Sequence, residues 1–232
     1  MAATLLLLGF ITAYTPAFRV TPTRTRAGQI VNLDRRQAVA QSALVTAAAA
    51  AAVPGSAEAE EYPKLSMMTT EGEMQFELWN DVAPKHVESF LKLTKQGFFD
   101  GGAFHRIIPG FVIQGGDPNA KVGYGPTGTL DGGDKNLIRK WGTGGPGYNV
   151  PAEFNERVHE FGVLSMARAA DPNSAGSQFF VCLGRLTSLD NQYTTFGKLI
   201  KGDDVLKRIA AAQTVAGDKP FKRQGIERVD AI

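Results

Sequence analysis

Cysteine is nearly absent from this chain: Cys182 is the only one in 232 residues. A lone thiol closes no internal disulfide and cannot supply the set of thiolates that a structural zinc site needs. Histidine is scarce too, at three. His86, His105 and His159 are nowhere four apart on one helix, so a His-based metal site is not expected, and no motif calls for a cofactor. Excess charge of one sign is also missing: 25 basic against 23 acidic residues leave +2. That is too little for a protein that binds nucleic acid by neutralising many phosphates. What is present, 43% apolar and 21% charged residues, is the make-up of a globular chain with a sizeable core.

The small positive excess is unevenly placed. Residues 1–59 hold five basic residues (Arg19, Arg24, Arg26, Arg35, Arg36) and two acidic ones (Asp34, Glu58). Taking these from 25 and 23 leaves 20 basic and 21 acidic residues in 60–232, a net −1. The chain opens with an apolar run, residues 5–13, too short to span a bilayer but suited to the core of a secretory signal. An Arg- and Thr-bearing stretch without acids follows, then the twin Arg35-Arg36, an Ala-rich segment over 38–53, and Ala57-Glu58-Ala59, a small-x-small cleavage site. We expect residues 1–59 to be a cleaved targeting leader and residues 60–232 the mature domain. Ala17-Phe18 after the first apolar run resembles the bipartite signal of secondary plastids, which implies a plastid destination, the thylakoid lumen. Ordinary secretion is the alternative.

In residues 60–232, Met74, Phe76 and Leu78 alternate with Gln75 and Glu77, the period-2 signature of a half-buried strand paired across Glu71-Gly72-Glu73. Residues 81–97 read as a helix, with Pro84 in its first turn, Val87, Phe90, Leu91 and Thr94 on one face, and Gly97 as the stop. A strand pair broken at Pro109-Gly110 is expected over 102–113, then a long loop of little structure over 115–149. Further strands are expected over 161–168, 178–183, 194–199 and 226–232, with a short second helix over 203–212. Many strands without strand–helix alternation predict an antiparallel barrel rather than a doubly wound sheet.

Most apparent motifs carry little chemistry. The glycine-rich 142–147 lacks the Lys-Ser/Thr of a phosphate loop, and no serine has a Gly-x-Ser-x-Gly setting. Asp131 and Asp134 lack calcium-loop spacing, and Cys182 in Phe179-Phe180-Val181-Cys182-Leu183 reads as a buried structural thiol. Two polar-aromatic segments remain. One is Phe104-His105-Arg106-Ile107-Ile108-Pro109-Gly110-Phe111-Val112-Ile113-Gln114-Gly115-Gly116-Asp117. The other is Ser165-Met166-Ala167-Arg168-Ala169-Ala170-Asp171-Pro172-Asn173-Ser174-Ala175-Gly176-Ser177-Gln178-Phe179-Phe180. A guanidinium beside aromatic rings and amides, with no nucleophile or base, suits binding a peptide and shifting its electron density rather than cleaving it.

On these two segments the chain resembles the cyclophilins, peptidyl-prolyl cis-trans isomerases, over residues 65–232. The resemblance implies a mainly β fold: a closed antiparallel barrel of about eight strands capped by two α-helices. It implies that Arg106 is the catalytic arginine, with Gln114 holding Arg106 and the substrate carbonyl in register. Phe111, Val112, Phe180 and Leu189 match the walls around the proline ring. Ala167 and Arg168 match the segment that pairs with the extended peptide, Gln178 would contact the chain beyond the proline, and Tyr193 stands at the rim. His105 is read as structural. The implied partners are proline-containing peptides and unfolded or assembling proteins, handled by a monomer with no nucleic acid and no membrane insertion. A non-catalytic proline-loop scaffold is the rival reading.

The chain departs from the family pattern at four places. Val112 replaces a common Met, Arg168 an Asn, Tyr193 a His, and Ser188 the Trp of the best-known eukaryotic members. The second segment is similar to bacterial-type members, and Ser188 implies weak binding of cyclosporin A. The loop over 122–141 exceeds the minimal domain and is read as a tolerated insertion rather than an adapter.

Overall fold

A computed structural model describes residues 61–232. The leader expected over 1–59 lies outside the described residues. The first hairpin joins β1 (Lys64–Thr69) to β2 (Gly72–Leu78), and its alternation holds: Leu65, Met67, Met74, Phe76 and Leu78 are fully buried. Helix α1 (Pro84–Lys95) begins at its proline and buries His86, Val87, Phe90, Leu93 and Thr94. Leu93 takes the core position assigned from sequence to Leu91, which is only partly buried. No side chain of its own caps this helix; Glu153 accepts from the amides of Lys85 (3.1 Å) and His86 (3.0 Å) instead.

The chain continues through β3 (Gly102–Ala103), β4 (Arg106–Ile108), β5 (Val112–Gly115), a four-residue helix α2 (Lys135–Ile138), β6 (Val163–Met166), β7 (Phe179–Cys182) and β8 (Thr195–Lys201). Helix α3 (Asp203–Ala210) buries Val205, Leu206 and Ile209, the face expected of it. A two-stranded pair, β9 (Thr214–Val215) with β10 (Lys219–Pro220), precedes β11 (Gly225–Ala231).

Nine strands form one strongly curled sheet in the order β3-β11-β1-β2-β8-β6-β7-β5-β4. This corrects the expected closed barrel of about eight strands. The hydrogen-bonded ladder is open: its two ends, β3 and β4, do not pair with each other but are successive pieces of one run that changes partner between them. The Phe104 amide donates to Gln224 (2.9 Å) on the β11 side, and the next amide, of His105, donates to Gln114 (3.0 Å) on the β5 side. The expected two helices are α1 and α3; α2 is a third, within the segment expected to be unstructured.

That segment is more ordered than its glycines and charges suggest. Trp141 is buried, donates Nε1–H to the Val122 carbonyl at 2.9 Å and packs on Tyr124. The segment also runs beside the chain that leads into β11. Leu130 N donates to Phe221 O (2.9 Å), Arg223 N to Gly128 O (2.8 Å), and the Tyr124 hydroxyl to Pro220 O (3.3 Å).

Pleating then divides the site from the core. Ile107, Ile113, Val181 and Leu164, paired across β4, β5, β7 and β6, point inward and are fully buried against Phe90, Phe179 and Phe196. Their neighbours in the same strands, the row Arg106↔Gln114↔Phe180↔Ser165, point to the opposite face. A second, smaller apolar cluster forms there from Trp79, Val112, Val163, Phe180 and Cys182.

Candidate active site

On that outer face the turn after β4 places Pro109 second and Gly110 third, with Gly110 at φ +73° and Phe111 N donating back to Ile108 O at 3.0 Å. Proline presets the first corner and glycine accepts the positive φ of the second, so the turn delivers Phe111 next to Val112. A short 3₁₀ turn, Thr187–Leu189, brings in Leu189. Together these build a cavity of about 230 Å³ lined by Arg106, Phe111, Val112, Gln114, Ala167, Arg168, Phe180, Leu189 and Tyr193. Nine of the ten residues singled out from the sequence therefore meet in one hollow, although they come from β4, β5, β7 and three connecting segments.

The tenth, Gln178, stands beside it. Gln114 Nε2 donates to Gln178 Oε1 at 3.0 Å, and Gln178 Nε2 donates to Gly144 O at 2.8 Å. The close approach behind this pair depends on Gly116, at φ +80°, where an added Cβ would lie 2.2 Å from the Ser177 carbonyl oxygen. Gln178 lines a second, larger cavity of about 620 Å³, walled on one side by residues 142–149. The glycine-rich run that fails as a phosphate loop thus serves as the wall of a polar hollow adjoining the first.

The aromatic floor is tightly placed. Phe180 meets Tyr193 edge to face, with centroids 5.7 Å apart, and lies nearly parallel to the His159 ring at 6.0 Å. His159 is fully buried, with Nδ1 3.1 Å from Asp190 Oδ1 and Nε2 3.0 Å from Ser165 Oγ. The order Ser–His–Asp invites comparison with a hydrolase triad, but Ser165 is equally buried and its hydroxyl donates to Thr194 O at 3.0 Å. Its oxygen faces protein, so this chain of groups holds the floor and attacks nothing. Burial lowers the His159 pKa, against the pull of Asp190, and keeps the ring neutral near pH 7.

Arg106 is half-exposed, and its Nε donates to Asp218 Oδ2 at 3.2 Å. This differs from the expected arrangement, in which Gln114 would hold the arginine. Gln114 is engaged with Gln178, and a carboxylate from the β9–β10 turn faces the guanidinium. His105 is buried, neither ring nitrogen has a protein partner, and desolvation pushes its pKa down to about 4. Cys182 is buried beneath the hollow, and loss of water pushes its thiol up to about 12, which makes it inert.

Comparison with known proteins matches this architecture. The family profile described as cyclophilin type peptidyl-prolyl cis-trans isomerase/CLD covers residues 64–231. The chain belongs to this family. A peptidyl-prolyl cis-trans isomerase of Synechococcus elongatus is 40% identical over 151 residues, 65% of this chain and 88% of that protein. One from Schizosaccharomyces pombe is 37% identical over 174 residues, 72% of this chain and 98% of its own length. Among solved structures, a Cryptosporidium parvum cyclophilin in the presence of the dipeptide Ala-Pro superposes with a TM-score of 0.62 at 31% identity, covering 73% of this chain and 98% of that one.

For this cyclophilin, sequence reasoning missed two contributors. Asp218 gave no signal, being separated from Arg106 by 112 positions. The wall at 142–149 did give one, since five of the six residues in 142–147 are glycine or proline, a composition that lets backbone approach a ligand closely. No group of His, Cys, Asp and Glu among the described residues is arranged to hold a metal ion. No helix among them is long and apolar enough to cross a membrane.

Proposed function

We propose that the smaller cavity of this cyclophilin seats a proline ring and that Arg106 speeds cis-trans isomerisation of the preceding peptide bond. The carrying observation is the placement of the Arg106 guanidinium, with the Gln114 amide directly across from it, at the edge of a hollow whose apolar walls are Phe111, Val112, Phe180 and Leu189. The peptide C–N bond resists rotation by about 18–20 kcal/mol because resonance gives it double-bond character. In the twisted state the prolyl nitrogen becomes pyramidal and regains a lone pair. A fixed donor to that lone pair opposes the resonance and stabilises the twisted state more than either planar isomer. If the donor contributes about 4 kcal/mol in a desolvated hollow, the gain is roughly a thousandfold. No bond is broken, so no nucleophile, metal or cofactor has a step to perform.

Gln114 and Gln178, joined at 3.0 Å, present amide groups beside the hollow, where they would meet substrate carbonyls and amides. The 167–168 segment, lining both cavities, would pair with the extended peptide. The Ala-Pro dipeptide named with the Cryptosporidium structure supports proline peptides as the ligand class. An isomerisation assay on the full chain with X-Pro peptides tests this reading directly. Turnover that depends on Arg106 supports it, whereas tight peptide binding without turnover would make the protein a proline-loop scaffold.

We further propose residues 1–59 as a cleaved leader directing residues 60–232, working as a monomer, to the thylakoid lumen of a plastid. The support is the order of apolar run, twin Arg35-Arg36, Ala-rich stretch and Ala57-Glu58-Ala59. Amino-terminal sequencing of the protein from isolated organelles should find a start near Glu60. Retention of residues 18–59, or recovery from the secretory pathway, overturns the assignment.

A further inference from the structure

The two cavities share Gln114, Ala167 and Arg168, so Arg168 borders both the smaller hollow and its polar neighbour. Arg106 and Arg168 are the charged residues lining them; no carboxylate lines either. The two arginines differ in how their charge is answered. Arg106 faces Asp218, whereas Arg168 is held by neutral groups alone. Its Nε donates to Gln192 O (3.0 Å) and its Nη1 to Ala169 O (2.9 Å) and Ala170 O (3.2 Å), and the guanidinium lies 4.7 Å over the Tyr193 ring. Its Nη2 makes no hydrogen bond among the described residues. The acids closest in sequence turn elsewhere: Asp171 accepts from the Asn173 amide at 2.9 Å, Asp190 is paired with Arg185 and His159, and neither forms an ion pair with Arg168.

The result is a guanidinium held in place at the border of the two cavities, half-buried, with no carboxylate paired to it and one Nη left without a hydrogen bond among the described residues. Holding a long side chain still normally costs much of what an ion pair gains, and here the carbonyls and the ring have already ordered it. We propose that Arg168 makes this cyclophilin select proline peptides that carry an anionic side chain, a carboxylate or a phosphate, on the residues entering the larger cavity. The proposal rests on the smaller cavity being the proline site. It adds a preference that the proline hollow itself does not determine.

The test uses the full chain and peptides that differ only in Glu, Gln or Lys at one or two residues before the proline, with a phosphoserine arm. Exchange is read by protease-free NMR, and affinity by titration calorimetry on the same peptides. We expect kcat/KM and affinity for the Glu peptide to exceed those for the Gln peptide by about three- to tenfold, with Lys lowest. The ratio should shrink as salt rises from about 0.05 to 0.5 M. Arg168→Gln should bring the Glu-to-Gln ratio close to one, and Arg168→Glu should favour the Lys peptide. A wild-type ratio near one overturns the proposal. So does an Arg168→Gln variant that weakens Glu and Gln peptides alike, because Arg168 would then only prop Tyr193 against Phe180. Binding with the expected ratio but no exchange would defeat the isomerase reading and leave the selectivity standing.

Discussion

Arg106 Nε lies 3.2 Å from Asp218 Oδ2, and the two residues are also tied through the backbone, since Ile107 N donates to Asp218 O at 2.8 Å. Asp218 adopts φ +58°, a conformation open to few residues other than glycine and, less easily, Asp and Asn. The strand bearing the arginine and the turn bearing its carboxylate are thus one unit. Residues 128–130 brace it from outside through their pairing with Phe221 and Arg223.

Asp218 is accordingly a positioning residue for the arginine. Because both side chains are nearly half exposed, solvent screens the pair and its stability contribution is small. Asp218→Gly keeps the positive φ and removes the carboxylate. We expect it to lower kcat by about three- to tenfold with KM nearly unchanged, a mark of lost orientation rather than lost binding. Asp218→Asn, which retains an acceptor and tolerates the same φ, should restore part of the loss. A Gly variant with full kcat would mean that Arg106 needs no carboxylate to aim it.

Removing the donor itself has a larger effect. Arg106→Ala should reduce kcat by two to four orders of magnitude, corresponding to about 3–5 kcal/mol from one strong transition-state donor. Affinity for a proline peptide should fall far less, because Phe111, Val112, Phe180 and Leu189 still wall the hollow proposed to seat the ring. Stopped-flow or NMR exchange kinetics decide the matter: if kcat stays within about threefold and KM rises instead, Arg106 binds both states equally.

Acid should destabilise the fold through its histidines. Burial lowers the pKa of all three, and that of His105 falls to about 4 from the ordinary 6.5. Between those values the unfolded chain binds a proton that the folded chain refuses, so stability is complete above pH 6.5 and declines as the pH falls towards 4. For His105 the loss is of the order of 3 kcal/mol, at 1.36 kcal/mol per pH unit. Urea midpoints at pH 7 and pH 5 should differ, and His105→Leu should flatten part of that difference. A His105→Leu variant with the full wild-type pH dependence would assign the effect to His86 and His159.

The legible parts of this molecule were those governed by local rules. Alternation in 74–78 and the Pro84 start are visible because each residue answers to neighbours two to four positions away. The Leu91–Leu93 exchange arose because the buried stripe of α1 runs through His86, Val87, Phe90, Leu93 and Thr94, and a periodic pattern does not reveal which edge of the apolar stripe is deepest. Eight of the ten site residues were legible through two contiguous segments with strong family character, and Leu189 and Tyr193 through the resemblance that continues beyond them. Asp218 and the Gln114–Gln178 bond were not, since they depend on how distant turns meet across the curled sheet. The burial of Trp141 was hidden by the glycines and charges around it.

Ser188 leads to the last prediction. It is exposed on the 3₁₀ turn that supplies Leu189 and lines neither cavity. In family members sensitive to cyclosporin A, an indole at this position donates its N–H to the drug and covers part of its apolar surface. A serine hydroxyl is too short to reach the same acceptor, and it removes most of an aromatic side chain of roughly 150–250 Å². Losing part of that burial at about 25 cal/mol per Å², together with one hydrogen bond, comes to about 2–3 kcal/mol. Inhibition should therefore be about 30- to 100-fold weaker than in Trp-bearing members, at tenfold per 1.4 kcal/mol. Isomerisation of short peptides should persist, because Phe111 and Phe180, the proposed seat of the proline ring, are unaffected. Ser188→Trp should regain much of the drug affinity with little change in kcat. Wild-type inhibition already at low nanomolar drug would show that the rest of the groove, Tyr193 and Arg168 included, supplies what the indole does elsewhere.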